Sequence, residues 1–247
     1  MKILFSPSEA KLSGGSGAAL HADGMLFPEL FDLRKTIIDA YTDYIRHADD
    51  AALQKLLGVK KADELSRVRS LDLYRDPTMK AIRRYSGVAY EYLDYKTLPE
   101  PAQRCLDENL IIFSNLFGPI LARDMIPWYK LKQGEKLGDL AIEKYYAEHF
   151  TPTLDAFLDG EFIIDLRAGF YFKFYKLKQP YITLKFIKNG KVVSHWAKAY
   201  RGMVVRALAT HRPENEKAFS EIPFENLSIL EIQKSGDKTE YIYEIVS

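Results

Sequence analysis

Tyr181-Ile182-Thr183-Leu184-Lys185-Phe186-Ile187-Lys188-Asn189-Gly190-Lys191-Val192-Val193-Ser194-His195-Trp196-Ala197-Lys198 reads as two strands about a two-residue turn. Asn189-Gly190 suits the left-handed angles of a type I′ turn, whose twist matches that of the strands it joins. Pairing across it sets Phe186 opposite Val193, Leu184 opposite His195 and Ile182 opposite Ala197. Tyr181, Thr183, Lys185, Ser194, Trp196 and Lys198 take the other face, and His195 becomes a core residue. A helix is expected to follow, to about residue 210.

Working outward, short apolar or alternating runs predict strands over residues 1–5, 110–113, 161–166, 170–175, 227–233 and 240–246. Helical spacing covers 28–48, 50–57, 61–67, 77–95 with a break near Gly87, 138–150 and 151–158. With no repeat, low-complexity stretch or linker, the expectation is an α+β fold: one domain over residues 1–247, a mixed β-sheet with surrounding helices.

The chain has 247 residues, enough to bury about three quarters of the surface exposed when unfolded. It needs no staple, and Cys105, the lone cysteine, permits no internal disulfide and reads as a small core residue. Residues 3–5 are too short for the apolar core of a signal peptide, and no run reaches the roughly 20 apolar residues of a membrane span. A cytoplasmic protein with no membrane association is expected.

The net charge of +1 conceals a strong separation. From Leu166 to Pro213 there is no Asp or Glu, while eleven Lys and Arg occur, from Arg167 to Arg212. The tail carries Glu214, Glu216, Glu221, Glu225, Glu231, Asp237, Glu240 and Glu244. Such a field concentrates and steers anions. Clustered cations beside Tyr171, Tyr175 and Trp196 are what phosphate contact with base stacking requires; the other reading is a solvated sheet face. On the helix after the hairpin, Lys198, Arg201, Gly202 and Arg206 share one arc. Lys198 and Arg201 read as functional, with Lys185 of the hairpin as a further phosphate contact, Gly202 as room for an anion near a helix start, and Arg206 as ordinary solubility charge. Residues 53–65, with Lys55, Lys60 and Lys61 around Gly58, are similar to the helix-hairpin-helix motif, whose turn amides hold DNA phosphates without reading sequence.

Nucleotide-binding glycine motifs and the GxSxG elbow are missing, and the five histidines share no metal spacing, so no cofactor and no metal is expected. The loop from Gly14 to Gly17 is either flexible or a cradle for an anion. Polar residues at strand ends remain: Ser6, Lys11, Ser114, Asn115, Arg123, Asp124, Tyr129, Asp165, Lys198 and Arg201. If they converge they form a cationic pocket with one or two carboxylates, with Asp124 or Asp165 as base.

Four stretches together resemble the YaaA family of peroxide-stress proteins: Ile3-Leu4-Phe5-Ser6-Pro7 with Lys11, Tyr85-Ser86-Gly87-Val88-Ala89-Tyr90, Phe113-Ser114-Asn115-Leu116-Phe117-Gly118-Pro119 through Arg123-Asp124 to Pro127-Trp128-Tyr129-Lys130-Leu131, and Ala197-Lys198-Ala199-Tyr200-Arg201-Gly202-Met203. The chain departs from the pattern at Lys130, where Arg is usual, at Lys132, where an acid is usual, and at Asp165-Leu166-Arg167-Ala168, where an Asn is common. The resemblance implies a cytosolic protein of the hydrogen peroxide response that limits damage from free iron. It also implies a family-specific α+β fold with a helix-hairpin-helix element, a positively charged cleft and DNA binding. The rival expectation is an enzyme acting on a small anionic substrate such as a nucleotide, held by the same cations.

Overall fold

The computed structural model describes residues 1–193 and 195–246, apart from the His195 side chain. β1 (Lys2–Phe5) is followed by α1 (Phe31–His47), which buries Ile37, Ile38, Tyr41 and Ile45 along one stripe. In α2 (Asp50–Leu57) the Asp49 carboxylate accepts from Ala52 N at the start, and Gly58 at φ 66 ends it. Next come α3 (Ala62–Arg69), β2 (Met79–Lys80), α4 (Ala81–Arg84), α5 (Val88–Leu93), α6 (Glu100–Asn109), β3 (Leu110–Ser114), β4 (Gly118–Leu121) and β5 (Met125–Ile126). The chain continues through α7 (Ile142–Leu158), β6 (Ile163–Asp165), β7 (Tyr181–Lys188), β8 (Lys191–Val192), α8 (His195–His211), α9 (Glu216–Ser220), β9 (Leu227–Ser235) and β10 (Lys238–Ile245).

The main sheet has the order β4-β3-β1-β6-β7-β10-β9, with β8 added beside β7; β2 and β5 form a separate pair. β3, β1, β6, β7 and β10 run parallel, and antiparallel strands flank them. Parallel strands are covered on both faces, which is why β3 is buried at every position. On one face Phe113 meets Phe174 at 6.5 Å, and Phe174 stacks on Tyr146 of α7 at 6.2 Å. On the other, Phe5 meets Tyr90 of α5 and Phe186 stacks on Tyr200 of α8, each at 5.5 Å.

The mixed sheet with surrounding helices is as expected, with corrections in its elements. The second arm of the hairpin pairs through Lys191 and Val192, Val193 N still donates to Phe186 O at 3.3 Å as expected for that pair, and the chain is already helical at His195. The expected pairings of Leu184 with His195 and of Ile182 with Ala197 do not form; the expectation of a core His195 side chain lies outside the described residues. Residues 170–175 are not a strand: Gly169–Lys173 is a 3-10 turn packed under α7. Residues 77–95 divide into β2, α4 and α5. The two helices expected over 138–158 are one, α7, which runs through Pro152 because Phe150, Leu154 and Leu158 bury on the same side.

Candidate functional site

β1 connects to β3 on one side and β6 connects to β7 on the other, so the chain leaves in opposite directions between β1 and β6. At the carboxyl ends of such strands a crevice opens, the usual ligand position in open sheets. Here it is a cleft of about 350 Å³. Phe5, Ser6, Ser8 and Glu9 line it from β1 onward, Leu166, Ala168 and Tyr171 from β6 onward. Gly87 to Tyr90, Gln133, Lys198 and Arg201 complete the wall.

Ser6 is used structurally: its Oγ accepts from Ala168 N at 2.8 Å and its carbonyl accepts from Tyr90 Oη at 2.9 Å. Together these hold the strand end against α5 and the β6 loop. Lys198 is exposed, on the second turn's outer side of α8. Arg201, one turn further, is half-buried, and burial pulls its guanidinium below the usual range, opposed by the Asp165 carboxylate. Among the described residues neither Lys198 nor Arg201 makes a hydrogen bond or ion pair.

Behind the Ser8–Glu9 wall lies a second cluster. The 10–12 segment runs against 84–86, with Leu12 N donating to Arg84 O at 2.8 Å and Ser86 N to Ala10 O at 3.0 Å. This holds Lys11 beside Tyr85. The Lys11 Nζ donates to Ser8 O at 3.1 Å and Glu9 O at 3.3 Å, and sits 4.0 Å from the Tyr129 ring centre and 5.4 Å from that of Tyr85. Burial pulls its pKa down to about 7. The Tyr129 hydroxyl is 2.9 Å from both Ser114 Oγ and Tyr85 Oη, and burial pushes its pKa up to about 12. Ser114 Oγ also accepts from Phe117 N at 3.0 Å, which pins the turn after β3. Lys11, Ser114 and Tyr129 were expected in the pocket and do meet; Tyr85, Tyr90, Ser8 and Gln133 were not foreseen as site residues.

Other expected members stand elsewhere. Ala122 N donates to Leu110 O, which places the Arg123-Asp124 turn at the amino end of β3, across the sheet from the cleft. Arg123 is exposed there; Asp124 accepts from Leu26 N at 2.7 Å and Leu121 N at 3.0 Å, and burial raises its pKa to about 6. Asp165 is gripped by Arg167, whose Nε and terminal nitrogen donate at 2.9 and 2.7 Å, so it is no free base. Side chains alternate along a strand, so Lys185 lies on the face opposite Phe186 and thus away from α8. Gly202 is not open to an anion: a Cβ there would stand 2.0 Å from Ala89 O, because α8 crosses α5 at this point. Arg206 donates to Leu93 O at 3.0 Å and Asp94 O at 2.9 Å, closing the end of α5, so it is more than solubility charge. Tyr171 and Tyr175 are buried, which leaves Trp196 as the exposed ring of the three expected to stack.

Lys55, Lys60 and Lys61 are exposed around the α2–α3 turn. That turn docks toward the cleft: Lys132 N donates to Leu56 O at 3.0 Å, and the next residue, Gln133, donates its N–H to Glu9 Oε1 at 3.1 Å. Cys105 is half-buried rather than part of the core, and burial pushes its thiol up. Among the described residues no three His, Cys, Asp or Glu side chains gather as a metal would need, and no helix is long and apolar enough to cross a membrane.

A family model described as peroxide stress protein YaaA matches residues 1–233. The chain belongs to that family. It is 46% identical over 246 residues, a coverage of 100% of each chain, to the uncharacterized protein Cj0984 of Campylobacter jejuni. A UPF0246 protein of Corynebacterium glutamicum is 39% identical, covering 88% of this chain and 89% of its own length. A UPF0246 protein of Streptomyces coelicolor is 27% identical over 84% of this chain and 82% of its own. The family's name ties the chain to peroxide stress, and the match takes in every residue of the cleft and of the Lys11 cluster.

Proposed function

We propose that this chain acts in the peroxide-stress response by binding DNA along the cleft at the carboxyl edge of its sheet, limiting iron-dependent damage to the strand it covers. The observation that carries this reading is Arg201: a half-buried guanidinium in the cleft wall, with no protein partner among the described residues. An unpaired cation removed from water is costly, and an incoming phosphate offsets that cost. Lys198 stands on the same wall, and Lys55, Lys60 and Lys61 extend the cationic border through the α2–α3 turn, read here as a helix-hairpin-helix. Such contacts hold the backbone of DNA without selecting sequence.

Affinity should therefore fall steeply with salt, because each neutralised phosphate releases counterions. Mobility-shift titrations over a salt series test this. Arg201→Met and Lys198→Ala should each weaken binding and lower the salt slope by about 1. Binding that is flat between low and moderate salt, or indifferent to both substitutions, is incompatible with the reading.

A second reading, an enzyme acting on a small anion such as a nucleotide, is favoured by one feature. The cleft's volume of about 350 Å³ is on the scale of small-ligand sites. A thermal-shift screen of nucleotides and phosphorylated metabolites distinguishes it: marked stabilisation by one compound, with weak DNA binding, selects the enzyme.

A further inference from the structure

Lys11 is a primary amine held in an unusual setting, and the anion-binding reading leaves it without a task. Its Nζ reaches the carbonyls of Ser8 and Glu9, two residues that themselves line the cleft. A neutral amine has two hydrogens, and these two acceptors take both, which leaves the nitrogen lone pair unengaged. The Tyr129 ring lies against the amine, and the Tyr129 hydroxyl is linked to those of Ser114 and Tyr85 at 2.9 Å each. A lysine amine held by two backbone acceptors beside a phenol with a hydroxyl relay is the equipment of imine chemistry.

We propose that Lys11 is the reacting amine of the cleft, forming an imine with the carbonyl carbon of a phosphate-bearing aldehyde whose phosphate rests on Arg201 and Lys198. The inference rests on the reading of the cleft as an anion site. The nitrogen lone pair adds to the carbonyl carbon while the carbonyl oxygen takes a proton, giving a carbinolamine. The nitrogen gives up one proton after the addition and its second as the hydroxyl, protonated in turn, leaves as water, and a C=N bond remains. One amine and one carbonyl become one imine and one water, so neither oxidant nor reductant enters. Tyr129, held protonated by burial, supplies the proton, and Ser114 and Tyr85 relay its replacement.

Burial keeps Lys11 near a pKa of about 7, opposed by Glu9 and reinforced by Lys130 and Arg84, so a large share of the amine is uncharged at neutral pH. Two sources present a phosphate and an aldehyde together: the opened deoxyribose of an abasic site in DNA, and a free phosphorylated aldehyde.

The experiment is reductive trapping on the full chain followed by peptide mapping. One arm uses duplex DNA with a single abasic site, with intact duplex as control. The other uses pyridoxal 5′-phosphate against unphosphorylated pyridoxal. Each is reduced with borohydride, which turns the imine into a stable secondary amine. The expected result is an adduct on Lys11, formed about tenfold faster with the phosphorylated aldehyde and levelled by Arg201→Met. Trapping of the abasic duplex assigns the source to DNA; trapping of the free aldehyde alone assigns it to a small ligand. Adducts on exposed lysines such as Lys60 and Lys61, with Lys11 unmodified in both arms, overturn the inference. Mapping the wild-type chain keeps this independent of whether Lys11→Arg folds. Binding of intact DNA, measured alongside, separates the two ideas. If DNA does not bind and Lys11 is still trapped by pyridoxal 5′-phosphate, the DNA reading falls and this one stands. If DNA binds and neither probe modifies Lys11, the reverse holds.

Discussion

The Asp124 carboxylate joins the loop before α1 to the turn after β4 through the N–H groups of Leu26 and Leu121. Burial raises its pKa from an ordinary 3.8 to about 6 in the folded chain. A carboxyl raised on folding contributes stability in full below about pH 4, and that contribution is lost as pH rises through about 6. Asp124→Asn removes the titration while keeping an acceptor. Relative to this variant the wild-type chain should lose up to about 3 kcal/mol between pH 4 and pH 7, read from urea unfolding at both. A difference that does not change with pH contradicts the assignment. Asp124 also marks what single residues disclose. Its type and its place at a strand end are visible in sequence, but whether such a residue faces the cleft depends on which end of the sheet it caps. Ser6, Lys198 and Arg201 were legible because each lies just beyond β1 or early on α8, the helix packed against α5 and β7. Tyr171 reads in sequence as an exposed stacking ring on an alternating strand, but Phe170-Tyr171-Phe172-Lys173-Phe174-Tyr175 begins as a 3-10 turn, which buries Tyr171 against the cleft.

The contact of α5 with α8 is where an element-scale test belongs. Gly202 lets the two backbones meet, and a Cβ there would lie 2.0 Å from Ala89 O and 3.0 Å from Leu93 N. Backbone cannot yield as a flexible side chain can. Gly202→Ala should therefore force α8 outward and cost about 2–3 kcal/mol in urea unfolding, even though alanine is the better helix former. Because Val88 to Tyr90 line the cleft, the same substitution should weaken anion binding. Stability unchanged from wild type would mean that the helices part without strain. At this scale the sequence speaks through turns more than through strands. Asn189-Gly190 gives the turn and the first pairs on either side of it. Beyond Val193 the alternation continues in sequence, yet Ala197, Tyr200, Val204 and Leu208 also satisfy helical spacing, and packing against Phe186 decides for the helix.

For the whole molecule the two edges of the sheet are handled differently, and nothing local announces this. β10 inserts between β7 and β9, so the last strand of the chain is interior and the one before it is the edge. At the far edge β4 is buried throughout, and Arg34 of α1 donates to the Phe117 and Pro119 carbonyls, the latter at 2.8 Å, so that backbone acceptors there are already occupied. Pro119 itself offers no donor. β9 has no such cover: nine residues long and without proline, it leaves Ile229, Leu230 and Ile232 at 43%, 59% and 44% exposure. Exposed edges of this kind recruit other strands unless a charge interrupts them. Glu231 and Lys234 are the only charges on β9, and Lys234 is engaged by Glu216 at 3.2 Å. Leu230, at the irregularity in the β9–β10 register, can take a charge without disturbing the interior. Leu230→Lys should leave unfolding within about 0.5 kcal/mol of wild type and slow the growth of light scattering when a concentrated solution is warmed. If scattering grows at the wild-type rate with stability preserved, the β9 edge is not the surface through which the protein associates, and the cationic border of the cleft becomes the place to look.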